Sequence, residues 1–232
     1  MLYIMEQHEV KGRLARDFEL TYRHGWEEHA EDPDMRLLWY FDVTHGAGPA
    51  YIVFTITAVS DGAAWERASR RVLDGDLHDW SVELERCRYR LDSRTLIPAP
   101  WSLISSLDLA TVPTGGSEHK RGMYLIDVGH PYAPLKDYVK FQEDLWHKPE
   151  GGIIYHGMAE FTGFFTTAFG AGQRPEGVFI EKILDMDKYF DMLGNTPAMD
   201  IERRREYMSE GLKHRDQWTS ILVRTSTWSP LY

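Results

Sequence analysis

Glu6 and His8 stand two residues apart in the run Leu2-Tyr3-Ile4-Met5-Glu6-Gln7-His8-Glu9-Val10. In an extended strand that spacing puts both side chains on one face, with Leu2 and Ile4. A carboxyl group in apolar surroundings has a raised pKa, and an adjoining imidazole can orient it or exchange protons with it. Together they could do general acid–base chemistry. A second acid recurs in matching context: Asp127 closes the run Met123-Tyr124-Leu125-Ile126-Asp127, and His130 follows shortly after. Alternation places Asp127 with Met123 and Leu125, and His130 with Tyr124, Ile126 and Val128. Glu6, His8, Asp127 and His130 are the candidate catalytic groups, provided the acids face an enclosed cavity. The alternative is a strand-end acid in solvent or one that ties down a loop.

Arginines and aromatics supply candidate binding groups. Arg86, Arg88 and Arg90 alternate with Cys87, Tyr89 and Leu91. An arginine row turned inward could hold a carboxylate or polarise an enolate, and Arg88 is the central member. Turned outward, it is a solvated edge. Trp39, Tyr40, Phe41, Tyr51 and Phe54 form one aromatic cluster; Phe161, Phe164, Phe165 and Phe169 form another. Most must be core. The rest would wall a site for a flat or terpenoid-like ligand. Trp39, Phe41, Tyr51, Phe165 and the strand-start His156 are the candidate substrate contacts.

Several classes are excluded. The net charge of -10 opposes general nucleic-acid binding, which needs a basic surface. One cysteine among 232 residues allows neither an intramolecular disulfide framework nor an all-cysteine zinc site. There is no phosphate loop, no His-Glu-x-x-His, no nucleophile elbow and no Cys/His cluster, so no metal is expected. No cofactor is expected either, although a single histidine could still hold a haem. The apolar start, Met1 to Met5, is interrupted at once by Glu6, His8 and Glu9, unlike a secretory signal. No run approaches the roughly 20 apolar residues of a membrane helix. A cytoplasmic protein without membrane contact is expected.

The elements that must position these groups come in two similar sets. Leu2–Glu6 matches Met123–Asp127, Gly46-Ala47-Gly48 matches Gly170-Ala171-Gly172, and Trp101-Ser102 matches Trp228-Ser229, in the same order. Such order points to a duplication. The first copy, 1–101, reads as a strand at 2–10, a helix at 13–29 and a strand at 36–44. A strand at 51–59, a helix opening at Asp61-Gly62, a short helical piece at 77–84 and a strand at 85–96 complete it. A Ser-, Pro- and Gly-rich linker, 102–121, leads to the second copy, 122–232. Strands are expected there at 123–130, 155–169, 177–184 and 217–226. The helices should start at Pro134, near Asp187 and at Asp200. The order β-α-β-β-α-β is the ferredoxin-like split motif, and the fold class is α+β. Each such unit leaves one sheet face bare, and two units packed sheet to sheet would close a barrel with helices outside.

This element order is similar to that of the dimeric α/β-barrel superfamily, with both halves fused in tandem. The opening strand, the Lys11-Gly12 turn and the following helix most resemble the NIPSNAP-like and EthD-like branches. The resemblance implies the fold and small, mostly apolar substrates; members include cofactor-free monooxygenases, isomerases, dehydratases and haem enzymes. It carries no catalytic residue across. The leading expectation is a cofactor-independent lyase or isomerase. It would transfer protons on an aromatic, polyketide, terpenoid or steroid-like compound held in the barrel. A cofactor-free monooxygenase and a non-catalytic binding or interaction protein are the alternatives. Assembly into a homo-oligomer stays open.

Overall fold

The structure is a computed structural model that describes residues 1–29, 32–115, 117–146, 157–168, 174–194 and 209–232. The first half comprises β1 (Leu2–Val10), α1 (Ala15–His29), β2 (Met35–Val43), β3 (Ile52–Val59), α2 (Gly62–Leu73), α3 (His78–Cys87) and β4 (Arg88–Pro98). The second comprises β5 (Met123–Pro131), α4 (Leu135–Trp146), β6 (Ala159–Thr167), β7 (Gly177–Ile183), α5 (Met186–Gly194) and β8 (Arg215–Thr225). All strand pairs are antiparallel, and the strands close a barrel in the order β1-β3-β2-β8-β5-β7-β6-β4. Two ferredoxin-like repeats therefore share one sheet. They meet at two short seams, β2 with β8 and β4 with β6.

Local sequence explains the elements. Strands β3 and β7 are runs of β-branched and apolar residues, and β3 is buried along its whole length. Asp61 caps α2 by accepting a hydrogen bond from the Ala64 amide at 2.9 Å. In α1, Phe18, Tyr22, Trp26 and His29 recur on one buried stripe. The Lys11-Gly12 turn before it needs a small residue. The Tyr51 ring lies over Gly12, and a Cβ there would come 2.5 Å from it. Tyr51 itself adopts a φ of 63°, a strained backbone for a tyrosine.

The barrel interior is core. Tyr3, Met5, Trp39, Phe41, Phe54, Ile56, Tyr124, Ile126, Phe165, Ile180 and Val223 pack there in one cluster. Full burial of a large apolar side chain contributes about 1.5–3 kcal/mol, so this filling is a principal source of stability. One barrel end is closed by the connecting segment. Its two 3-10 turns, Leu103–Ser106 and Leu109–Thr111, place Ile104 and Leu109 in the same cluster. The Tyr3 hydroxyl donates to the Ile104 carbonyl at 2.6 Å.

The two Trp-Ser ends are exchanged between the halves. The Ser102 hydroxyl accepts from the Phe164 amide at 2.9 Å, and Trp101 stacks on the Phe164 ring. In the same way the Ser229 hydroxyl accepts from the Tyr40 amide at 3.1 Å, and Trp228 leans on the Tyr40 ring. Each half thus ends by docking on the outer side of the other.

The structure corrects one boundary. The strand expected at 85–96 starts later, because α3 continues through Cys87. Arg86 is therefore helical and pairs with Glu83 one turn earlier. A register shift between Glu9 and Val10 also separates Arg88 from Arg90. The three arginines form no common row. The helix expected to start at Asp200 and the Gly170-Ala171-Gly172 match lie largely outside the described residues.

Candidate functional site

Strand β1 presents Tyr3 and Met5 to the barrel core, so Ile4, Glu6 and His8 face outward, beneath the helix layer. Strand β5 does the same: Tyr124 and Ile126 point inward, Leu125 and Asp127 outward. The strand face that carries the acids, which alternation left open, turns away from the barrel interior, because the aromatic set of each strand claims the larger apolar volume. Trp39, Phe41 and Phe165 are packed inside the barrel, at most 1% exposed, and do not wall a cavity. Tyr51 sits on the rim over Gly12. His156 lies outside the described residues.

Around Glu6 the sequence brings together groups from five elements, β1, α1, β3, α3 and β4. Arg88, the first residue of β4, is buried, and its Nη1 lies 2.9 Å from His8 Nδ1. Arginine can only donate, so His8 Nδ1 is the acceptor and its proton is on Nε2. That Nε2 is 3.3 Å from the Thr55 hydroxyl, which in turn donates to Glu6 Oε2 at 3.3 Å. Glu6 Oε2 is also 3.7 Å from His8 Nε2, and the Tyr22 hydroxyl of α1 donates to the same carboxyl group. Arg88 also pairs with Glu85 on α3. The chain of donors runs one way: Arg88, His8, Thr55, Glu6.

These surroundings set the protonation states. Burial raises the Glu6 pKa, while Arg88, Thr55 and Tyr22 oppose that rise. Burial, reinforced by the Arg88 charge, pushes His8 down to about 3. His8 is fully buried and neutral, with both ring nitrogens engaged. It does not fit as an axial haem ligand. Glu6 differs, since 27% of its side chain remains accessible. Its cross-strand partner on β4 is Ser93, flanked on the same face by Leu91 and Thr95. Leu91, Ser93 and Ile97 are exposed, leaving an open strip, apolar at Leu91 and Ile97, beside the acid.

The second repeat holds a related group. Asp127 takes the place of Glu6, and Arg215 that of Arg88; Arg215 opens β8 opposite Pro131 as Arg88 opens β4 opposite Val10. Burial raises Asp127 to about 6, against the lowering effects of Ser220, Arg215 and Trp218. Its Oδ1 has no hydrogen-bond partner among the described residues. No imidazole corresponds to His8, since that place is Gly129. The Tyr138 hydroxyl occupies the space, 2.3 Å from where a Gly129 Cβ would be. A small cleft of about 120 Å³ opens beside Arg215 and Trp218. Asp127 is 6% exposed, so this second acid is the more enclosed.

His130 does not join Asp127. An odd spacing along a strand puts the two on opposite faces, and His130 Nδ1 lies 3.8 Å from Glu176 at a barrel mouth. Arg90 is likewise at that mouth, paired with Asp92. Two members of the Glu6 group, Thr55 and Tyr22, were not singled out by the sequence. Thr55 sits in an unbroken buried strand and Tyr22 in a helix stripe, where both read as packing. Among the described residues no three His, Cys, Asp or Glu side chains gather as metal ligands. No described helix is long and apolar enough to cross a membrane.

No protein-family model matches the chain, and no curated protein matches it. Solved structures do. A candidate monooxygenase from Lactobacillus acidophilus superposes with a TM-score of 0.55 at 12% identity, over 99% of this chain and 96% of its own. Chlorite dismutase from Candidatus Nitrospira defluvii gives 0.56 at 8% identity, over 97% and 91%. A NIPSNAP-domain protein from Burkholderia xenovorans covers 44% of this chain and 97% of its own, at 18% identity and a TM-score of 0.36. The full-length matches show the fold: two ferredoxin-like repeats in one chain that close a single α+β barrel.

Proposed function

We propose that the protein is a cofactor-independent enzyme that moves protons on a small aromatic or otherwise enolisable compound, with Glu6 as the general base. The observation that supports this is the one-way chain Arg88–His8–Thr55–Glu6 ending on a desolvated yet accessible carboxylate. Burial makes Glu6 basic enough to accept a proton from an activated carbon or phenol. Thr55, Tyr22 and Arg88 hold the carboxyl group in place and oppose the rise in its pKa that burial causes. The apolar strip at Leu91 and Ile97 would take the flat face of the substrate.

His8 is a positioning residue here. An imidazole with a pKa of about 3 does not take up a proton at neutral pH. Isomerisation or elimination would follow directly from proton removal by Glu6. The same first step also serves a cofactor-free oxygenase, in which the resulting carbanion or phenolate reacts with oxygen. The likeness to a candidate monooxygenase supports that second reading. A cytoplasmic location, and self-assembly through the open sheet strips, belong to the same proposal.

The test is proton exchange. A panel of 1,3-diketones and polyhydroxyphenols is incubated with the protein in D₂O and followed by proton NMR, with oxygen uptake measured in parallel. Deuterium incorporation that disappears in Glu6→Gln supports the assignment. Exchange that persists unchanged in Glu6→Gln removes Glu6 from the chemistry.

A further inference from the structure

One barrel end is plugged by the segment around Ile104 and Leu109; at the opposite end, no apolar side chain among the described residues joins the core cluster as a plug. There a cleft of about 300 Å³ is lined by Arg90, Asp92 and Arg94 of β4, His130 of β5, and Arg174 and Glu176 just before β7. Arg94 and Asp92 pair across β1 with Met5 and Gln7, so they lie on the lumen side of the sheet, above the Met5 layer of the core. His130 is on the lumen side of β5, in line with Ile126 and Val128.

The charges there do not cancel. Arg94 is tied to Glu176 at 2.6 Å, and Arg90 to Asp92 at 2.8 Å. Arg174 donates to the neutral Gln217 side chain at 2.7 Å and meets no carboxylate among the described residues. Three guanidinium groups thus face two carboxylates in a chain whose net charge is -10. His130 adds a buried Nδ1 with no hydrogen bond among the described residues. Burial and the nearby Arg174 and Arg94 lower its pKa. Guanidinium groups that line one recess suit an oxyanion with several acceptor atoms.

We propose that this mouth binds a compact polyvalent oxyanion, of the class of dicarboxylates and phosphate monoesters, held by Arg174, Arg90 and Arg94. The site joins the halves, since β4 belongs to the first repeat and His130 and Arg174 to the second. It is separate from the Glu6 group, which lies on the outer face of the sheet. Its success or failure is therefore independent of the proposed proton transfer.

The experiment is calorimetric titration of the full chain with sodium malonate and, separately, with inorganic phosphate, against sodium chloride at matched ionic strength. Saturable binding of either probe beyond chloride is expected, and the preferred probe identifies the source as dicarboxylate or phosphate. Arg174→Gln and Arg90→Gln alter exposed or half-exposed side chains and should keep the native thermal transition. Each should weaken binding by about tenfold, as expected for one lost charge-assisted contact. The paired variant Arg94→Gln with Glu176→Gln removes the half-buried ion pair without stranding a charge, and should also weaken binding. Absence of saturable binding by both probes, or unchanged affinity in the variants, overturns the proposal.

Discussion

Arg88 Nη1 lies 2.9 Å from His8 Nδ1, and this one contact fixes the tautomer of a fully buried histidine. Because the guanidinium is always a donor, the imidazole must accept at Nδ1 and keep its proton on Nε2. His8 is thereby turned into a neutral strut between a cation and the Thr55 hydroxyl.

His8 should accordingly show the Nε2–H form in nitrogen-15 correlation spectra and stay neutral from pH 8 to pH 5, given a pKa of about 3. Burial and the Arg88 charge lower it, so protonation costs stability only as the pH falls toward the unfolded value near 6.5 and below. Arg88→Met removes the charge and should raise the His8 pKa. It should also destabilise the protein by about 2–4 kcal/mol, since it leaves Nδ1 buried without its donor. Chemical denaturation measures the second effect and the NMR titration the first.

Asp127 predicts a pH dependence of opposite origin. Its folded pKa is raised by burial from 3.8 to about 6, so the folded state holds its proton more tightly than the unfolded chain. Its contribution is full below pH 4 and is lost as the pH rises through 6. A shift of that size corresponds to about 3 kcal/mol. Asp127→Asn should therefore be more stable than the parent at pH 8, with the gap closing by pH 4. Urea unfolding midpoints at the two pH values give the comparison. A variant that is equally destabilised at both would contradict it.

The exchanged Trp-Ser ends should couple the halves. Ser102→Ala and Ser229→Ala each strand a buried amide, of Phe164 and of Tyr40 respectively. Each should lower stability by about 1–3 kcal/mol. The unfolding transition should stay single in both variants, because the seams belong to one barrel. Separate transitions for the two halves would show that the ends do not bind them.

Gly129→Ala should be costly, as the new Cβ would meet the Tyr138 hydroxyl at 2.3 Å. Overpacking of this kind costs about 1–3 kcal/mol. Tyr138→Phe deletes the offending oxygen, and the next ring atom is 3.4 Å away. The double variant should regain most of the loss, read from thermal midpoints. No recovery would place the strain elsewhere.

The duplication was legible because both copies of β1 kept the same apolar–acid pattern and both halves ended in Trp-Ser. Strand alternation also showed correctly that Glu6 and His8 share a face. It could not say which face the barrel would enclose. That choice depends on the volumes of Tyr3, Met5, Trp39 and Tyr124 packed against side chains from the five other strands, a comparison that no local pattern contains. The apparent arginine row failed for a local reason. The stretch from Glu83 to Cys87 carries helical Glu–Arg pairing, which ends the alternation before the strand begins. Arg88 nevertheless reached the site, and Thr55 and Tyr22 joined it by tertiary contact alone.

The proposed activity rests on transfer of the substrate proton to Glu6. The most direct measurement is deuterium exchange into an enolisable ligand by the parent, Glu6→Gln and His8→Asn, each as a function of pH. Exchange should rise as Glu6 ionises, vanish in Glu6→Gln and shift its pH midpoint in His8→Asn. Exchange by Glu6→Gln at the parental rate and with the parental pH profile would contradict it.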